Sequence, residues 1–156
     1  MTTRTILMSA AMLMAAYAGA EVRLPSLLSD NMVLQQCSDA RLWGTAAPGA
    51  RVRVTVSWSE DRVETRAGKD GAWELRVATP SATSEPQTLT ISDGESEVAL
   101  NNVLVGEVWY CSGQSNMEQP MKGYLCQPVD GALETVLTAS PSRPIRTFTV
   151  PHALKA

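Results

Sequence analysis

Apolar and polar residues alternate with a period of two over much of residues 22–105, which predicts strands with one buried face. In residues 51–58, three valines and Trp58 alternate with arginine, threonine and serine. No helical period interrupts this region, so we predict an antiparallel β-sandwich of short strands. The further strands expected in it span residues 62–67, 72–77, 89–91 and 98–100.

Two Asp-Gly pairs predict sharp turns between these strands, because aspartate and glycine tolerate positive φ. Lys69-Asp70-Gly71 is expected to form a hairpin before the strand at 72–77. Asp93-Gly94 is expected to be the turn between the strands at 89–91 and 98–100.

The pattern changes at residues 103–105 and 108–111, which are nearly continuously apolar, as in a strand covered on both faces. A short helix is expected at 131–139, with Asp130 as a possible N-cap, and another strand at 145–150. This order of elements is typical of the start of a parallel α/β layer. One such unit leaves open sheet edges, so we expect the sequence to end inside its second domain.

The first twenty residues have the features of a secretory signal peptide. Arg4 precedes an apolar stretch that is shorter than the roughly 20 residues needed to span a bilayer, and residues 18–20 form a small-x-small cleavage sequence. An uncleaved anchor or a buried helix is the alternative. We therefore expect a secreted or periplasmic protein with a signal peptide at 1–20, a β-sandwich at 21–105 and an incomplete domain at 106–156.

Composition narrows the possible functions. The chain has 156 residues, of which 44% are hydrophobic and 19% charged, as in a globular protein of one or two small domains. A net charge of −3 without a basic cluster argues against nucleic acid or an anionic membrane as partners. The chain contains 1 histidine, which excludes a multi-histidine metal site and leaves few candidates for a general base.

The 3 cysteines of the chain are Cys37, Cys111 and Cys126. An odd number in an exported protein leaves at least one thiol unpaired. Cys111 and Cys126 could form a disulfide, or they could be separate buried thiols. Their spacing does not match a zinc site.

Residues 111–117, CSGQSNM, place two serines and two amides directly after the apolar run at 108–111. A glycine before Ser115 could let the chain turn so that the hydroxyl leaves the end of a strand, with amide N–H groups beside it as an oxyanion hole. Met117 replaces the second glycine of the Gly-x-Ser-x-Gly elbow, so that motif is absent. From the pattern alone, an ordinary turn that ends a strand is the favoured interpretation.

A wider set of motifs resembles the sialate O-acetylesterase family of SGNH-type serine hydrolases. The central match is GEVWYCSGQSNM at 106–117, followed by EQPMKGY at 118–124. The other matches are LPSLLSDNMVLQQ at 24–36, LWG at 42–44, PGARVRV at 48–54 and PIRTFTVP at 144–151.

The resemblance implies that Ser115 is the nucleophile and that its own amide N–H contributes to the oxyanion hole. Gly113, Gln114 and Asn116 are the accompanying oxyanion or substrate-loop candidates, although Gln114 and Asn116 could simply hold the loop. The implied reaction is removal of an acetyl group from an O-acetylated sugar, without a metal or organic cofactor.

The sequence departs from the family at the general base, which the family supplies from a distant Asp-x-x-His motif. His152 is the histidine of this chain, and the residue three places before it is Thr149. We therefore expect His152 to be a loop or surface residue, and the 156-residue chain to have no useful esterase activity by itself.

A rival function is a non-catalytic carbohydrate-binding β-sandwich. Trp43, Trp58 and Trp73 could stack on sugars, although Trp58 and Trp73 share a strand face with apolar residues, which favours core packing. Glu107 and Glu118 flank the serine, but their separation in the sequence does not identify a glycosidase pair.

Overall fold

A computed structural model describes residues 21–140 and 144–150. Within these residues the chain forms seven strands, one α-helix and one 3₁₀ helix. The strands are β1 Val33–Gln35, β2 Asp39–Thr45, β3 Arg51–Val56, β4 Ser59–Arg66, β5 Ala72–Ala78, β6 Thr83–Ser92 and β7 Glu97–Gly106; the helices are the 3₁₀ helix Ser115–Glu118 and α1 Ala132–Leu137.

The strands form two sheets that share one hydrophobic core. The large sheet has the order β1-β7-β6-β3-β4, and the small sheet pairs β2 with β5. All pairs are antiparallel except β1 with β7, which is parallel. The predicted mainly-β fold is confirmed, with this parallel edge pair as a departure from an all-antiparallel sandwich.

The predicted alternation places the expected residues in the core. In β3 the three valines are buried while Arg51 and Arg53 are exposed, and in β5 every second residue is buried. Both sheets contribute to the cluster, because side chains of period-two strands leave one face free to pack. Its most deeply buried members are Leu42, Val52, Val54, Leu89, Ile91 and Val103.

The two Asp-Gly turns have different topological roles. Gly71 and Gly94 both adopt positive φ, at 79° and 94°. Gly94 lies between the paired strands β6 and β7, as predicted. Gly71 does not close a hairpin, because β4 pairs with β3 while β5 pairs with β2 in the other sheet. The apolar face of β5 therefore closes the core from the opposite side.

Trp43, Trp58 and Trp73 do not form an exposed platform. Trp73 is buried, and Trp43 and Trp58 are partly buried against the core. A Cβ on Gly44 would meet the Trp73 ring 3.0 Å away, so the glycine permits the indole to lie against β2. The three side chains therefore pack in or against the core, as the sequence favoured.

Two strands predicted beyond β7 are not formed. Residues 103–105 belong to β7 itself, whereas 108–111 and 145–150 belong to no strand, with Trp109 82% and Ile145 86% exposed. A strand needs a neighbour for its backbone groups, and no described residue provides one there. Apolar sequence alone therefore overpredicted strand structure in this region.

Helix α1 is shorter than predicted and begins differently. Gly131, with φ of 71°, occupies the N-cap, and no side chain caps the helix, so the expectation for Asp130 was wrong. The predicted signal peptide and His152 lie outside the described residues. Among the described residues, no helix is long and apolar enough to cross a membrane.

Candidate functional site

The serine segment, defined here as residues 107–127, is tied to the large sheet where it begins. Gln35 and Gln36 donate side-chain hydrogen bonds to the Glu107 carboxylate at 3.2 and 2.5 Å. The Val108 amide donates to Gln35 Oε1 at 2.9 Å. Gln36 also accepts a hydrogen bond from the Ala82 amide at 2.8 Å, so the contact reaches the β5–β6 connection.

These contacts change the protonation behaviour of Glu107. The hydrogen bond from Gln36, then that from Gln35, lowers the pKa of the Glu107 carboxyl below its ordinary value, against a smaller opposing effect of desolvation. Glu107 is therefore held as a carboxylate by the glutamines. This environment favours an anchoring role over that of a general acid.

Ser115 begins the 3₁₀ helix and is exposed. Gln114 precedes it in an extended conformation, and the Met117 amide donates to the Gln114 carbonyl at 2.9 Å. The Gln119 amide donates to the Asn116 carbonyl at 3.4 Å. The loop is thus held by backbone hydrogen bonds, and the described hydrogen bonds of Gln114 and Asn116 involve only their main chains.

Gly113 leaves room for the side chain of Met117. Its φ lies outside the positive region, so it does not provide a left-handed turn. A Cβ at Gly113 would lie 2.6 Å from Met117 Cγ, so the missing side chain leaves room for the methionine. The glycine allows the 3₁₀ turn to fold back on the preceding backbone.

Ser115 is exposed and makes few contacts with the described residues. Within residues 21–140 and 144–150, no side chain forms a hydrogen bond with this hydroxyl. In the same part of the chain, no acceptor is bonded to the Ser115 amide N–H, which leaves it free to donate to an oxyanion. The described residues thus combine an exposed hydroxyl with an unbonded amide N–H, and none of their side chains is placed to accept the hydroxyl proton.

Arg146 makes a second connection to the sheet, which the sequence analysis missed. Its guanidinium donates to the Met32 carbonyl at 3.1 Å, to the Asn102 carbonyl, and to Asn102 Oδ1 at 3.0 Å. Asn102 and Asn31 both have positive φ, at 55° and 66°, and their side chains are hydrogen-bonded at 2.7 Å. Residues 145–150, IRTFTV, alternate apolar and polar side chains, so the local sequence did not indicate this contact.

The chain between these two connections presents apolar residues to solvent, and its two helices bury no residue. All three cysteines are exposed free thiols, so neither the Cys111–Cys126 disulfide nor buried thiols are present. The large apolar side chains with the highest exposed fractions are Trp109, Tyr110, Leu125, Leu133, Leu137 and Ile145.

No group of three or more histidine, cysteine or acidic side chains in the described part of the chain is arranged to hold a metal ion. The site in these residues therefore consists of Ser115, the amide groups around it and the polar anchors at Glu107 and Arg146.

Comparison with known proteins places this arrangement in context. No family model matches the chain. The sialate O-acetylesterase of Rattus norvegicus is 32% identical over 111 residues, which is 65% of this chain and 20% of the rat protein. The Homo sapiens sialate O-acetylesterase is 32% identical over 110 residues, 65% of this chain and 21% of the human protein.

A solved structure agrees with these relatives. The crystal structure of a carbohydrate acetylesterase from Xanthomonas citri matches with 34% identity and a TM-score of 0.59, over 65% of this chain and 23% of that chain. The chain is related to the sialate O-acetylesterase family. The resemblance predicted from the motifs is thereby confirmed. The chain spans about a fifth of the length of the curated family members that it matches.

Proposed function

We propose that this chain carries the nucleophile segment of a serine esterase that removes O-acetyl groups from sialic acid or related sugars. The observation that carries the proposal is the accessible Ser115 at the start of a 3₁₀ turn, in a chain related to sialate O-acetylesterases. Its sequence features also lead us to propose that the protein is exported and that its second domain begins near Gly106.

The chemistry follows from the serine hydroxyl. Ser115 Oγ bonds to the acetyl carbonyl carbon while a base takes the hydroxyl proton, and the Ser115 amide donates to the developing oxyanion. The bond to the sugar oxygen then breaks as that oxygen gains a proton. Water attacks the acetyl-serine, which releases acetate and restores the hydroxyl.

The missing step is proton removal, because no described side chain accepts the proton of Ser115. We therefore expect the 156-residue chain to hydrolyse acetyl esters several orders of magnitude more slowly than a complete serine esterase. Added imidazole could replace the base, since it would act next to an exposed hydroxyl.

The test compares imidazole-dependent hydrolysis of an O-acetylated sugar by three proteins: the full chain, Ser115→Ala and Ser112→Ala. Both serines are exposed, so Ser112→Ala is the matched control in the same loop. We expect rescue by imidazole in the full chain and in Ser112→Ala, and its loss in Ser115→Ala. Equal rates for Ser115→Ala and the full chain would overturn the nucleophile assignment.

Covalent labelling provides a separate measurement. A fluorophosphonate probe should label Ser115 of the full chain slowly and more quickly with imidazole, with mass spectrometry locating the adduct. Saturable glycan binding without any labelling at Ser115 would instead favour the carbohydrate-binding alternative.

A further inference from the structure

The outward face of the large sheet contains a polar depression far from the serine segment in sequence. Its volume is about 220 Å³. Strands β3, β4, β6 and β7 all contribute to its walls, with paired positions such as Arg53 and Ser92 side by side. We call it the arginine groove; its lining residues are Arg53, Thr55, Arg62, Thr90, Ser92 and Glu97.

Four arginines of β3 and β4 lie in or beside this groove, with Glu64 among them and Glu97 in the groove lining. Arg51 lies directly opposite Arg66, and Arg53 directly opposite Glu64. Like charges facing each other across two strands destabilise a sheet. The chain as a whole has a net charge of −3, so the cationic surface at β3 and β4 is a local feature of the fold.

Glu64 neutralises only part of this charge. It accepts a hydrogen bond from Arg53 at 2.7 Å and lies 3.8 Å from Arg51. Within the described residues, Arg62 and Arg66 form no ion pair. The Arg62 guanidinium therefore lines the groove with its donors available.

The lining of the groove fits a particular ligand chemistry. Guanidinium groups bind carboxylates through paired, charge-assisted hydrogen bonds. Thr55, Thr90 and Ser92 add hydroxyls, and Glu97 adds an acceptor for the hydroxyl groups of a sugar. All the residues that line the groove carry charged or hydroxyl-bearing side chains, whose polar groups can bind the polar groups of a sugar.

We propose that the arginine groove binds a carboxylate-bearing sugar of a glycan, with Arg62 as the principal contact to the carboxylate. Arg51 and Arg66 do not line the groove, but they add positive charge beside it. The site is on the β-sandwich and does not use Ser115. It would therefore hold an acidic glycan independently of ester hydrolysis.

The test is a titration of the isotope-labelled full chain, followed by backbone amide chemical shifts. The probes are the methyl glycoside of N-acetylneuraminic acid, methyl galactoside and inorganic phosphate. We expect saturable shifts at Thr55, Thr90 and Ser92 with the acidic sugar, and much weaker binding of the other two probes.

The variant Arg62→Ala should weaken binding of the acidic sugar by roughly 10-fold or more. Arg23→Ala is the matched control, because it removes one exposed arginine outside the groove. If both variants weakened sugar binding equally, net charge alone would explain the effect and the proposal would be overturned. So would phosphate binding as tight as that of the sugar, or shifts confined to the serine segment.

Ser115→Ala separates this proposal from the esterase assignment. The variant should bind the acidic sugar like the unmodified chain, even though it loses imidazole-dependent hydrolysis. Loss of sugar binding in Ser115→Ala would place the ligand at the serine and contradict the arginine groove.

Discussion

Residues 22–106 and residues 107–150 are both rich in apolar side chains, yet they use them in opposite ways. The first region buries them in one core shared by two sheets. The second leaves large ones exposed, and its two helices bury nothing. The strands of the first region pair into sheets, whereas the described residues of the second region form no sheet. Without a sheet, there is no face on which their apolar side chains can be buried together.

The two regions also differ in what fixes their geometry. Residues in the sandwich are positioned by packing, whereas the serine segment and residues 145–150 are each attached to the large sheet by polar contacts, at Glu107 and Arg146 respectively. Both contacts reach the β1–β7 pair, whose edge strand has only 3 residues. These parts of the chain are thus attached by a few hydrogen bonds rather than by a core.

The largest contrast should come from one substitution made in each region. Leu89 is 0% exposed and Leu125 is 95% exposed. Leu89→Ala should lower the free energy of unfolding by about 2–5 kcal/mol, because it removes buried methyl groups and leaves a cavity. Leu125→Ala should change it by less than about 0.5 kcal/mol. Denaturant unfolding followed by tryptophan fluorescence measures both.

If Leu125→Ala lowered the free energy of unfolding as much as Leu89→Ala, the comparison would be contradicted. It would mean that the exposed leucine packs against part of the protein in solution. An unchanged unfolding midpoint for Leu89→Ala would contradict the shared core.

The Arg146 contact should produce a smaller and local effect. Arg146→Lys keeps the charge but loses the planar arrangement of donors that reaches two carbonyls and an amide oxygen. We expect trypsin to cleave after position 146 roughly 10-fold faster, because local opening becomes easier. Trypsin accepts both residue types, so the cleavage site itself is retained.

Arg66→Lys is the control for this experiment, since Arg66 lies in β4 and forms no ion pair in the described part of the chain. Cleavage after position 66 should stay slow in both proteins because that backbone is paired. Equal rates of cleavage after position 146 in Arg146→Lys and the unmodified chain would show that Arg146 does not hold residues 145–150 against the sheet.

The sequence was most informative where one residue type recurs with a fixed period. The alternation of Val52, Val54 and Val56 predicted both a strand and its buried face. It could not show that β4 and β5 join different sheets, because Asp70-Gly71 suits a hairpin and a crossover equally well. Pairing is set by distant residues, which a local pattern does not contain.

The candidate site shows the same limit. The motif around Ser115 was recognisable from consecutive residues, whereas the contacts of Glu107 and Arg146 join residues separated by 71 and 114 positions. Glutamine pairs and lone arginines are common on surfaces, so nothing local distinguishes Gln35, Gln36 or Arg146. Their roles depend on the fold that brings them together.

The smallest effect should be the pH dependence of the Glu107 anchor. Hydrogen bonds from Gln36 and Gln35 lower the pKa of Glu107 in the folded chain, so the carboxylate stabilises the fold above its unfolded pKa of about 4.3. That contribution is lost as the pH falls through the lower folded pKa. Glu107→Gln should therefore be less stable than the unmodified chain at pH 7, with the gap closing below about pH 4.

Denaturant unfolding between pH 3 and 7 measures this gap, and Glu85→Gln is the matched control. Glu85 is exposed on β6, and its carboxylate has no hydrogen bond within the described residues, so its replacement should leave the pH profile nearly unchanged. A gap for Glu107→Gln that stays constant down to pH 3 would contradict a charge-dependent anchor. The serine segment would then be held at this end by the Val108 amide bond to Gln35 rather than by the carboxylate.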